Sequence, residues 1–158
     1  MSSTTFSRDT ESASDKKDLG QTSMIINRVS VLAIIGWIIY TIGVLGCMFA
    51  NKISKLSVEP VYHIWYYAFI IVAFFLVAGR PKLASYRLAV MAFLAVGFNY
   101  LTFDMEWSIY AYRGEQFLNS DGVEYSPKNF TDVALAGTCI LIVAWVAMII
   151  TFSRSVPN

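Results

Sequence analysis

Charge is scarce in this chain, and its distribution matters more than its amount. Only 15% of the 158 residues are Asp, Glu, Lys or Arg, and the interiors of the four longest apolar blocks hold none of them. A proton relay or ion path across those blocks needs an ionisable side chain inside them; Asn99 is the only carboxamide well inside one. Histidine is nearly absent, with His63 alone, and cysteine is limited to Cys47 and Cys139. The two cysteines have no ligand-type spacing and lie within apolar blocks, where they read as small packing residues rather than a disulfide or zinc pair. No glycine-rich phosphate loop or nucleophile motif occurs. Asp104 and Glu106 are two residues apart, so on a helix they diverge, and no third ligand is near. The reading that follows is no enzyme, no cofactor and no metal. The net charge of +1 gives no reason to expect a nucleic-acid partner.

What the chain has instead is apolar length. Its hydrophobic fraction is 56% and its mean hydropathy is +0.55, against about 45–50% apolar residues in soluble domains. The apolar residues form blocks: Val29–Ala50, Val61–Ala78, Tyr86–Phe103 and Val133–Phe152. About 20 apolar residues at 1.5 Å each cross the roughly 30 Å of bilayer hydrocarbon. Lipid offers no partner to open backbone groups, so each block must be helical. The expected fold is an all-α membrane protein: a four-helix transmembrane bundle over 29–152, with membrane lipids as its solvent.

The segments outside the blocks set the expected topology. Met1–Arg28 is polar and rich in Ser and Thr, lacks the apolar region of a signal peptide, and is expected to be a disordered cytoplasmic tail. With the N-terminus inside, the cytoplasmic face holds Arg8, Lys16, Lys17, Arg28, Arg80, Lys82, Arg87 and Arg154, and the outer face only Lys52, Lys55, Arg113 and Lys128. That asymmetry follows the positive-inside rule and places both termini in the cytoplasm, with 153–158 as a short tail. Asn129-Phe130-Thr131 is an N-glycosylation sequon on the non-cytoplasmic side.

Several residues stand out as candidate contacts. Small residues recur along the first span (Ala33, Gly36, Gly43, Cys47, Ala50), the third (Ser85, Ala89, Ala92, then Asn99) and the fourth (Ala134, Gly137, Ala144, Thr151). In lipid, small stripes let helix backbones approach closely. Gly36, Gly43, Asn99 and Gly137 are therefore expected to pack helices, Asn99 through an interhelical hydrogen bond. Internal packing of the bundle is the first use of such stripes; lateral contact with another protein is the second. Asp104–Asp132 is expected to be an outer loop, with Asp104, Glu106 and Trp107 at the base of a partner surface. His63 sits in Tyr62–Tyr67, an aromatic girdle, and reads first as an interfacial anchor, with a sensor of external pH as the lesser reading.

Scattered identities along the spans carry a family resemblance. They are Leu32-Ala33-Ile34, Trp37 and Gly43 in the first block, Pro60 and Trp65 at the second, and Tyr86-Arg87 at the start of the third. Phe98, Tyr100 and Ile109-Tyr110 follow near its far end, and Ala134, Ala136-Gly137 and Leu141 in the fourth complete the set. With these the chain resembles the membrane region of the fungal osmosensor family of the high-osmolarity glycerol pathway, four-span proteins that end in an SH3 domain. The resemblance implies a fungal plasma membrane, stress signalling and self-association through the spans. It departs from the family in a longer third loop and in ending at Asn158 with no SH3 domain. The expected function is that of a non-enzymatic plasma-membrane protein acting by lateral helix association and its outer loop, osmosensor-like or membrane-organising. The alternative is an accessory subunit of a larger membrane enzyme or transporter, such as a pump or cell-wall synthase. The expected partners are accordingly a homo-oligomer or a larger membrane protein.

Overall fold

The computed structural model describes residues 6–50, 59–78, 80–112 and 128–154. Four helices run in order: α1 (Phe6–Ala50), α2 (Glu59–Ala78), α3 (Arg87–Tyr112) and α4 (Lys128–Arg154), with a 3-10 turn at Pro81–Tyr86 before α3. No strand occurs among the described residues. Each helix contains a stretch long and apolar enough to cross a membrane: Ser23–Phe49, Val61–Ala78, Arg87–Ile109 and Asn129–Ser153. The chain is an integral membrane protein built as a four-helix bundle. Its exterior carries many large apolar side chains, with Phe49, Trp65, Leu88 and Val143 among the most exposed. That distribution suits a surface in lipid rather than water.

The tightest seam is antiparallel, between α1 and α4. Gly43 lies against the backbone of Ala134 and Gly137 against the backbone of Tyr40, so a Cβ on either glycine would overlap the facing helix. Gly36 faces Ile140 and Leu141, and Ala33 and Ala144 are fully buried. The three glycines Gly36, Gly43 and Gly137 are thus used in the contact between the first and fourth spans. The α2 side of the core is bulkier, built from Tyr67, Ile70 and Phe74. Trp145 of α4 donates its indole N–H to the Leu94 carbonyl of α3 at 3.2 Å, and Trp37 of α1 donates to the Ile64 carbonyl of α2 at 2.8 Å.

Two expected boundaries are corrected. The tail expected to be disordered over Met1–Arg28 is helical from Phe6, continuous with the first span. No proline precedes Pro60, and extending a helix already formed avoids the cost of nucleation. The expected outer loop Asp104–Asp132 is also shorter at both ends. α3 continues through Asp104, Glu106 and Trp107 to Tyr112, and α4 begins at Lys128. The remainder of that loop, 113–127, lies outside the described residues.

Candidate functional site: a buried carboxylate joining three helices

On α3 the core face is written by Val90, Leu94, Gly97, Leu101, Asp104 and Ser108, alternately four and three residues apart and all buried. Asp104 therefore falls where a core residue belongs. On α2 the same logic runs through His63, Tyr67, Ile70, Phe74 and Val77. Tyr40 sits within the α1 small-residue stripe, fully buried. Three helices thus turn polar side chains to one point near the end of the bundle where α1 and α3 finish and α2 and α4 begin.

The geometry at that point is closed. The Tyr40 hydroxyl donates to Asp104 Oδ2 at 2.8 Å and the Tyr67 hydroxyl donates to the same oxygen at 2.6 Å. His63 Nδ1 lies 2.8 Å from the other oxygen, Oδ1. An ionised carboxylate is an acceptor only, so with Asp104 charged the imidazole donates its Nδ1–H. Asp104 is 1% exposed, and α1, α2 and α3 each supply part of its surroundings. The rings interlock as well: Tyr40 meets Tyr67 edge-on at 5.5 Å, and Trp145 of α4 closes the other side of Tyr67 at 5.5 Å. His63 stacks on Tyr100 at 4.6 Å.

Hydrogen bonds to a charged acceptor are worth about 1.5–3 kcal/mol, and a buried charge is tolerated only when paired and hydrogen-bonded. The arrangement meets that condition with three donors. Chemically it can hold a negative charge inside the bundle, tie three helices to it and exchange a proton through the imidazole.

An open groove of about 480 Å³ lies outside the cluster between α2 and α3, lined by Tyr62, His63, Tyr66, Asn99, Tyr100 and Phe103. Tyr66 bridges it by donating to the Phe93 carbonyl at 2.7 Å. His63 is the residue common to groove and cluster.

The remaining candidates distribute as follows. Gly36, Gly43 and Gly137 lie in the α1–α4 seam. Asn99 is exposed on the outside of the bundle, which corrects the expected hydrogen bond within it: its helical position is opposite the α3 core face, and among the described residues no helix is bonded to it. Asp104 is likewise corrected, from an outer partner surface to the interior, because it continues the core spacing of α3. Glu106 is exposed and Trp107 half-buried. His63, expected among the girdle anchors, is 7% exposed and turned inward. Asn129 is exposed in the first turn of α4, while Thr131 of the same sequon is fully buried, with its hydroxyl 3.8 Å from Cys47 Sγ. Cys139 is exposed and Cys47 buried. No group of three or more His, Cys, Asp or Glu placed to hold a metal occurs among the described residues.

The sequence carried a signal for the cluster. His63 and Asp104 each extend an apolar stripe in register, and a lone acid and a lone histidine at core positions of neighbouring helices are natural partners.

No family model, curated protein or solved structure matches this chain.

Proposed function

We propose that this is a non-enzymatic plasma-membrane protein, its two termini cytoplasmic, that works by lateral association of its helices in an osmosensor-like or membrane-organising role. One observation carries the reading. Ala33, Gly36 and Gly43 of α1 and Ala134, Gly137 and Ala144 of α4 are buried inside the bundle, while Ser85, Ala89, Ala92 and Asn99, on and just before α3, all remain exposed on the bundle exterior. Small residues facing lipid let a second helix approach closely, and a carboxamide among them has an interhelical hydrogen bond to gain. The Asp104 cluster supports a structural rather than a catalytic role, because both carboxylate oxygens are engaged within the protein.

The test is oxidative crosslinking in native membranes with Cys139→Ser as background; Cys47 is buried and stays. Ala92→Cys on the α3 face is expected to give a disulfide-linked dimer, and Val143→Cys on the exposed face of α4 is not. Adding Asn99→Leu is expected to lower the Ala92→Cys product about 3- to 30-fold, from roughly 0.6–2 kcal/mol for an interhelical hydrogen bond in lipid. Absence of self-crosslinking together with a stoichiometric large partner in mild detergent favours the accessory-subunit reading, with the same face turned to that partner. Absence of both removes lateral association.

A further inference from the structure

The Asp104 cluster is anionic, and the described residues place no lysine or arginine beside it. Facing it are Tyr40 from α1, His63 and Tyr67 from α2, and Ser108 one turn along α3, while α4 contributes Trp145 against Tyr67. The nearest other ionisable side chains are Tyr66 and Tyr100 on the groove side, and the exposed Glu106 two residues along α3. With His63 neutral and Asp104 ionised, the cluster carries one negative charge, and among the described residues its ion-pair partner is His63. Among the described residues, the cationic form that can reach Asp104 is the protonated imidazole of His63.

We propose that His63 and Asp104 form a proton-binding latch between α2 and α3, which tightens as protons become available at the Asp104 end of the bundle. The position of His63 suits the task. Its Nδ1 is engaged by Asp104, its ring lines the groove, and it lies two residues inside the Val61 end of the α2 span, about 3 Å from the span boundary. A proton from the aqueous phase binds Nε2, the Nδ1–H stays on Oδ1, and no other bond changes. The pair passes from a neutral donor on a carboxylate to an ion pair in a low-dielectric setting, which strengthens the α2–α3 joint. Loss of the proton loosens it, and the stacked His63–Tyr100 pair is the element that moves at the groove. The latch is independent of lateral association: it concerns a joint inside one chain, and either test can fail while the other holds.

The experiment uses the full chain in phosphatidylcholine nanodiscs at pH 8 and pH 5.5. Because His63 is the only histidine, histidine labelled with 15N in the ring reports on it alone. Its ring-nitrogen signals are expected to show proton uptake between the two pH values, and unchanged signals overturn the proposal without any variant. Spin labels at Trp65→Cys and Glu106→Cys, in the Cys139→Ser background, are expected to show a narrower α2–α3 distance distribution at pH 5.5. The wild-type Tm is expected to rise by about 3 °C or more. His63→Gln keeps a neutral donor and is expected to abolish both responses, whereas Tyr40→Phe lowers Tm at both pH values and keeps them. A His63→Gln protein with an undiminished pH response overturns the proposal.

Discussion

Tyr67→Phe tests the Asp104 cluster most sharply, because its sign depends on what else is present. In the wild type the substitution removes one of three donors to a buried carboxylate, at 2.6 Å the shortest of the set. Hydrogen bonds to charged groups contribute about 1.5–3 kcal/mol, whereas those between helices in lipid average roughly 0.6 kcal/mol. The charged and nearly inaccessible acceptor argues for the larger figure: the oxygen left short of a donor finds no water at 1% exposure. For a chain of 150–250 residues each kcal/mol moves Tm by about 2–4 °C, so the expected loss is about 3–12 °C by circular dichroism in mild detergent.

Asp104→Leu acts differently. It removes the charge and leaves three polar groups, on Tyr40, Tyr67 and His63, without an acceptor, each costing about 1–3 kcal/mol. Against that background Tyr67→Phe deletes one orphaned hydroxyl and is expected to stabilise. The double-mutant cycle should therefore show a coupling of opposite sign to the single substitution. An equal cost of Tyr67→Phe in both backgrounds would refute the assignment of that hydroxyl to Asp104. Should Asp104→Leu fail to accumulate, Asp104→Asn retains the volume and one acceptor oxygen and serves the same cycle with a smaller coupling.

Gly43→Ala is expected to cost about 1–3 kcal/mol through overpacking, since its methyl meets the Ala134 backbone; Gly36→Ala is expected to cost less, because its nearest obstacle is the Ile140 Cγ2 methyl at 2.9 Å. Thermal unfolding of the two variants side by side reads the difference. The sequon is expected to stay unmodified in the folded chain, with no mobility change on glycosidase treatment or on Asn129→Gln. Its Thr131 is fully buried in the first turns of a helix, and Phe130 covers Gly46 of α1.

The four membrane helices were legible in the sequence because a single physical demand, twenty uncharged residues to cross hydrocarbon, leaves a mark that no surface detail obscures. The α1–α4 seam was legible for a related reason: Gly36, Gly43 and Gly137 have little to contribute on a lipid face and a great deal where backbones touch. The cluster was harder to see, since the rule that finds spans reads a charge as an end. Asp104 obeys a second rule, the spacing of the α3 core face, and the two conflict at that residue. The structure resolves the conflict in favour of spacing, because donors from two other helices arrive at the same point. His63 was obscured by its neighbours in the same way: Tyr62 and Trp65 belong to the outside of α2, while His63, Ile64 and Tyr67 of the same run are buried. What composition conveys about such a run is its depth in the membrane; which member turns inward depends on the phase of the helix. In a bundle apolar on every side, that phase is carried by the few residues that are not apolar. Asp104 and Asn99, five residues apart on α3, illustrate it from opposite faces. The acid is held inside by three donors, while the amide stands outside with no hydrogen bond to another helix among the described residues, and the α3 exterior is therefore the face on which a search for a lateral partner begins.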